Sequence, residues 1–226
     1  NLAGYMMDRK GTQTDFDNVD TMQFLPGTTT ANPTFGKHTE ETRNAPGNSK
    51  IKGIEAELTV RPADGLTLGA SYAYTDVKVP ATPNPFLNNI PFQVYTVFTP
   101  KHAASGNVEY EANIGGAGAK ARFHLDASYA GPQYSFQAEP VQTEASFVVN
   151  GRIALVDVPM NEGGVKATFA LWSRNLLNET HIYRRSNANS SPTLNNNGSL
   201  NYAGILGDYA NFNPPRTFGA DVTINF

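Results

Sequence analysis

Four histidines, His38, His102, His124 and His181, are the first residues to test for chemistry. Imidazole is the side chain that titrates near neutral pH, and it is also a common metal ligand. None of the four has a second histidine or a cysteine at ligand spacing, and the chain contains no cysteine. Each is therefore expected to face solvent or line a polar interior. No Gly-x-Ser-x-Gly elbow raises a serine into a nucleophilic position. The chain reads as a non-enzyme with no resident metal or cofactor.

A different chemistry is carried by Arg122, His124, Arg152, Lys166 and Arg174, which recur in one phase of alternating segments. Glu109, Glu111, Asp126 and Asp221 share that phase. Such a set can bind an anionic solute or the carboxylates of a protein filling the interior. Pairing among the charges themselves in a solvated wall is the simpler expectation. A second candidate surface lies in the stretch 176–215. That stretch mixes Asn187, Asn189, Asn195, Asn196 and Asn197 with Tyr183, Tyr202, Tyr209 and Phe212. Carboxamides and tyrosines suit hydrogen bonding and stacking on a polar ligand. The same composition suits mobile surface decoration. Asn178-Glu179-Thr180 and Asn197-Gly198-Ser199 match the glycosylation pattern, which recurs by chance in short stretches.

The elements that must position these residues are strands. Period-two alternation recurs in segments of ten or eleven residues, and helical periodicity is nearly absent. In the last segment Phe218, Ala220, Val222, Ile224 and Phe226 oppose Thr217, Gly219, Asp221, Thr223 and Asn225. The same pattern covers 66–75, 104–112, 121–130, 147–156 and 165–174, and two less regular segments span about 2–12 and 50–61. Five alternate positions on each of six strands, counted from Leu66, Ala104, Ala121, Phe147, Val165 and Phe218, contain no Asp, Glu, Lys or Arg. Prolines are expected in the connections alone, because proline cannot donate to a ladder. Connections near 62–65, 113–119 and 157–164 are short, whereas those near 13–49, 78–101, 132–144 and 176–215 are long. Short turns alternating with long loops is the pattern of a transmembrane β-barrel. Tyr72, Tyr74, Tyr110 and Tyr129, on the apolar phase near strand ends, fit an aromatic girdle at the headgroups.

Composition is compatible with that reading. Charged residues make up 16% of the 226, and Gly (20) with Pro (15) stays below the low-complexity range, so neither disorder nor collagen fits. A net charge of −3 without a basic cluster argues against nucleic-acid binding. No uninterrupted apolar run is long enough for a transmembrane helix, but a β-strand crosses with about 9–11 residues. The opening Asn-Leu-Ala-Gly-Tyr has no charged region followed by an apolar one, so a leader was removed or the chain starts within a longer protein. The final strand, with Phe218, Val222, Ile224 and Phe226 in phase, has the form of the signal that outer-membrane proteins present to the barrel assembly machinery.

Several stretches together resemble one family. They are Lys52-Gly53-Ile54-Glu55-Ala56-Glu57-Leu58, then Arg61-Pro62-Ala63-Asp64-Gly65-Leu66-Thr67-Leu68, then Tyr72-Ala73-Tyr74-Thr75-Asp76. Pro100-Lys101-His102, Trp172-Ser173-Arg174-Asn175-Leu176-Leu177-Asn178 with Tyr183, and Pro215-Arg216-Thr217-Phe218-Gly219 follow in order. The sequence is similar to the barrel of TonB-dependent outer-membrane receptors. The resemblance implies an all-β, antiparallel transmembrane barrel of 22 strands. Residues 1–226 would form its C-terminal eight, with the plug domain and N-terminal strands absent from this chain. It also implies active uptake of a scarce nutrient such as a ferric siderophore at the outer membrane of a Gram-negative bacterium. The implied partners are outer-membrane lipid, the rest of the receptor, TonB acting through the missing plug, the barrel assembly machinery and the nutrient. The competing readings are a stand-alone eight-stranded structural or adhesive barrel and a soluble β-sheet binding module.

Overall fold

The computed structural model describes residues 1–20, 22–115, 118–186, 193–194, 200–201 and 209–226. Eight strands build one antiparallel sheet: β1 (Leu2–Lys10), β2 (Asn48–Ala63), β3 (Leu66–Lys78), β4 (His102–Asn113), β5 (Lys120–Ala130), β6 (Ser146–Pro159), β7 (Lys166–Arg174) and β8 (Thr217–Asn225). Each strand pairs with its predecessor and successor in the chain, so the sheet is a meander. All long connections therefore leave one end and all short ones the other. Among the described residues there is no helix. No pairing joins β1 to β8, so the sheet has two open edges rather than a closed wall.

Register carries the alternating pattern across the whole sheet. Tyr72 lies opposite Ala104, Ala104 opposite Tyr129, and Tyr129 opposite Phe147. Lower down, Leu68 meets Val108, Val108 meets Leu125, Leu125 meets Gly151, Gly151 meets Ser173, and Ser173 meets Phe218. Directly opposed residues share a face, so the apolar phases of separate strands merge into one surface. Its large side chains are not covered: Leu58 is 59% exposed, Ile153 53%, Leu171 58% and Val222 63%. A soluble sheet would bury these against a second layer, and the wall has none.

Two irregularities correct the expectation that every proline lies in a connection. Pro62 sits inside β2 and Pro159 ends β6. The β2–β3 register shifts between Val60 and Ala63, so Pro62 occupies a bulge where no ladder N–H is demanded. A second bulge, between Leu155 and Val158, places Asp157 at φ 55°. The β2–β3 turn is only Asp64-Gly65. Gly65 takes φ 74°, and a Cβ there would run into the Glu111 carbonyl on the neighbouring strand.

The long connections are more ordered than their composition suggests. Between β1 and β2 the chain forms its own hairpin, Gln13–Val19 against His38–Asn44. Shorter ladders pair Thr82–Pro83 with Pro91–Phe92, and Ile182–Ser186 with Tyr209–Phe212. The long connections leave the same end of the wall and together carry most of the buried polar residues found among the described residues.

Candidate functional site

On the polar face, ladder register decides which charges meet. Glu111 of β4 lies directly opposite Arg122 of β5 and accepts from its Nη2 at 2.6 Å and from Lys120 Nζ at 2.7 Å. His124 stands 3.6 Å from Glu109 and 3.5 Å from Asp126, and Asp126 also accepts from Asn150 Nδ2 at 2.8 Å. Asp221 accepts from Trp172 Nε1 at 3.2 Å, and the Arg174 guanidinium lies 5.5 Å from the centre of that indole. Gly219 lies opposite Trp172, and a side chain there would strike the ring, so the glycine lets the indole lie flat across the neighbouring strand. Among the described residues, Arg152, Lys166 and Arg174 have no carboxylate within ion-pair distance. The five basic side chains thus form two groups, an engaged pair at Arg122 and His124 and an unengaged trio beyond them.

At the loop end, the 79–101 and 131–145 connections enclose a cavity of about 630 Å³, large enough for a metabolite-sized solute. Tyr95 and Tyr134 stack within it, ring centres 4.2 Å apart and planes at 31°. Backbone bonds fix the pair: Tyr95 N–H donates to the Gln137 carbonyl at 2.9 Å, and Phe98 N–H to the Tyr134 carbonyl at 2.9 Å. Burial, and then the neighbouring Tyr134, push the Tyr95 phenol up from its ordinary pKa. The cavity edge holds Gln93, Gln142 and the buried carboxylate of Asp76, which Lys101 approaches at 3.3 Å and Lys52 at 3.8 Å. The arrangement offers aromatic surface, amide donors and acceptors, and two lysines, Lys78 and Lys101, in one space.

A second, smaller cavity of about 130 Å³ lies between the first hairpin and the 79–101 loop. Phe16, Leu87 and Val94 are buried around it, and Phe92 packs edge-on to Phe16 at 6.4 Å. Thr14, also lining it, is buried with a hydroxyl that has no hydrogen-bond partner. The hairpin's far end is tied to Asp20. Its carboxylate accepts from Thr34 Oγ1 at 2.5 Å, Asn32 Nδ2 at 2.9 Å and Met22 N–H at 3.0 Å. Those donors, Thr34 first, hold the Asp20 carboxyl below the usual aspartate range.

The third feature is a clasp at the root of the 175–216 loop. Asn175, buried and at φ 50°, donates through Nδ2 to the carbonyls of Glu179 at 2.7 Å and Pro214 at 3.2 Å. Its Oδ1 accepts from Glu179 N–H at 2.8 Å, and its own N–H donates to Asn150 Oδ1 at 3.0 Å. His181 is buried as well, 2.6 Å from Glu179 Oε2, with its N–H donating to Asn213 Oδ1 at 2.9 Å. This corrects the expectation that every histidine faces solvent or the interior wall. Two of the others fit it, His38 pairing with Asp17 on the first hairpin and His124 standing on the polar face, whereas His102 lies opposite Tyr74 on the outer phase and meets the Tyr72 hydroxyl at 2.8 Å.

Of the loop candidates, Tyr183 is an exposed strand residue. Tyr202 lies outside the described residues, as do Asn187, Asn189, Asn195, Asn196 and Asn197. Tyr209 is described in its backbone alone, opposite Ser186. Phe218, Val222 and Ile224 share the apolar face of β8, and Phe226, just beyond the strand, is fully exposed. Apart from His181, tested only as a histidine, the residues that build the larger cavity and the clasp were not among the candidates read from the sequence. Tyr95 and Tyr134 lie in aperiodic loops, far apart in the chain. For Asn175 a signal existed: asparagine is the residue that most readily takes φ > 0 after glycine, and Asn175 and Asn178 close one strand. Among the described residues no cluster of His, Asp or Glu could hold a metal ion.

Residues 1–176, more than half of the chain, match the family model described as "TonB dependent receptor-like, beta-barrel". Among curated proteins, none matches.

Proposed function

The chain belongs to the TonB-dependent receptor-like β-barrel family, an outer-membrane receptor family of Gram-negative bacteria, and we propose that its eight strands are part of the wall of a larger barrel that takes up a scarce solute. The observation that carries the proposal is an uncovered apolar face joined to two open edges. Hydrocarbon covers the face. In hydrocarbon, however, an unpaired strand edge leaves a row of N–H and C=O groups without partners, at several kcal/mol for each group, so further strands must close the wall. The family's 22-stranded form supplies them. A stand-alone eight-stranded barrel has these same open edges against it.

The polar face then lines the lumen, where Arg152, Lys166 and Arg174 meet carboxylates of a plug domain or an anionic solute. The loop end faces the exterior, and its 630 Å³ cavity is the first polar, aromatic enclosure a solute encounters. A ferric siderophore is the solute class that the family reading favours. TonB drives its passage by rearranging the plug, and the β8 residues Phe218, Val222, Ile224 and Phe226 present the barrel to its assembly machinery.

The test is a clean deletion of the complete gene. Loss of energy-dependent uptake of a ferric siderophore, restored by the intact gene and not by one lacking its TonB-contacting segment, is the expected result. Undiminished uptake and growth of the deletion strain on every limiting nutrient would overturn it.

A further inference from the structure

Among the described residues one buried side-chain polar atom has no hydrogen-bond partner, Thr14 Oγ1. Thr14 is only 3% exposed, and it lines the smaller cavity of about 130 Å³. A buried hydroxyl without a partner has given up its water and gained nothing in return. Valine has the same shape and would occupy the position without that penalty. The hydroxyl calls for a partner that enters the cavity from outside.

Three connections enclose the space. Thr14 and Phe16, alternate residues on one strand of the first hairpin, are both buried against it. The 79–101 loop supplies the buried Leu87 and Val94, together with Phe92, whose ring lies 6.4 Å from that of Phe16 with the planes at 82°. Gln137 and Ala138 of the 131–145 loop, both exposed, complete the lining. The cavity is distinct from the 630 Å³ one, and Val94 is the wall they share.

Size and charge narrow the ligand. Apolar protein cavities of about 150 Å³ stay dry and take up benzene, so one six-membered ring suits this volume. Aromatic rings favour edge-on and offset packing, and an incoming ring meets Phe16 and Phe92 already set edge to face. A water at the hydroxyl would need about two to four polar partners, and the side chains of Phe16, Leu87 and Val94 offer none. No lysine, arginine or histidine lines the space, whereas Asp15 and Asp17 do, so an anion is disfavoured.

We propose that this cavity is a binding site for a neutral monocyclic phenol, its ring among Phe16, Leu87, Phe92 and Val94 and its hydroxyl bonded to Thr14 Oγ1. The site stands on its own lining and requires neither the membrane orientation nor uptake of a solute through the larger cavity.

The intact receptor, expressed from the complete reading frame with methyl-labelled leucine and valine and purified in neutral detergent, is titrated with phenol or toluene and followed by methyl NMR. Phenol should shift the Leu87 and Val94 resonances saturably. Toluene, which matches its size and lacks the hydroxyl, should bind about fivefold more weakly, the worth of one neutral hydrogen bond. Thr14→Val should erase that preference and leave toluene binding unchanged, whereas Thr14→Ser should keep it, with heat-modifiable mobility showing both variants folded. The wild-type ratio of phenol to toluene tests the site even where a variant fails to fold. A phenol shift that does not saturate, or phenol no tighter than toluene, overturns the proposal. Equal loss of both ligands in Thr14→Val makes Thr14 a packing residue and overturns it too. Saturable shifts at Val77 and Val79, which line the larger cavity, without one at Leu87 would place phenol there instead. Displacement of phenol by benzoate would overturn a neutral occupant.

Discussion

The wall and the loop end invert each other's burial. On the wall the large apolar side chains stand uncovered, and Leu58, Leu171 and Val222 are all exposed. At the loop end many of the best-buried side chains are polar: Thr14, Asn32, Thr82, Ser135, Thr143, Asn175, His181 and Ser186. In water the first region would be a defect, and without internal hydrogen bonds the second would be unstable. Each makes sense once the two regions are given different surroundings, hydrocarbon for the wall and water for the loops. The loops have no bilayer to sort their side chains, so buried hydroxyls and carboxamides fold them by bonding to backbone groups.

The largest expected effect breaks the wall half of this comparison. Leu125→Arg or Val222→Arg in the intact receptor should cost about 2–4 kcal/mol when unfolding is followed by denaturant titration in lipid vesicles. Ser128→Arg and Thr223→Arg, on the opposite face of the same strands, should cost far less. Equal costs on both faces would show that one solvent bathes the whole sheet.

A comparable but local loss is expected at the clasp. Asn175→Ala removes three side-chain bonds and leaves the Glu179 N–H and the Glu179 and Pro214 carbonyls to find other partners. It also asks alanine to hold φ 50°. Unsatisfied buried groups cost about 1–3 kcal/mol each, so the root of the 175–216 loop should open by roughly that amount. Hydrogen exchange should quicken at Glu179, His181 and Asn213 while β4 and β5 stay protected. Uniform deprotection of the wall would show that clasp and wall are not separable.

That separability mirrors what could be read without coordinates. The eight wall strands follow from alternation because one face meets one solvent along the whole strand. Phe218 to Phe226 is the clearest case, since no bulge interrupts its phase. The bulges at Val60/Ala63 and Leu155/Val158 escape such a reading, because an added residue changes the phase only locally. Pairing of Glu111 with Arg122 follows from their shared phase, but which cations remain unengaged depends on register across β5, β6 and β7. The cavity is the least legible part: Tyr95 and Tyr134 meet because two irregular loops cross, and no periodicity records a crossing.

A smaller effect sharpens the polar face of the wall. Gly219→Val places a branched side chain where the Trp172 indole lies, and overpacking of this kind costs about 1–3 kcal/mol. The displaced ring should lose its bond to Asp221, which a blue-shifted or quenched emission of the chain's single tryptophan would report. Unchanged emission and stability would mean that the indole has room to rise from the strand.

The smallest effect belongs to the water-facing hairpin and depends on pH. Asp20 is half-buried, and its folded pKa is held down by Thr34, then Asn32, then the Met22 N–H. A carboxylate with a depressed folded pKa contributes stability that is present above the unfolded value and lost as pH falls through the folded one. Acidification through and below the usual aspartate range should therefore loosen the turn joining Asp20 to Thr34, read as faster exchange of the Met22 and Thr34 amides relative to the intrinsic rate. Asp20→Asn should flatten that response, because an amide keeps an acceptor oxygen but does not titrate. If the variant and the wild type lose protection along the same pH curve, another group governs the hairpin.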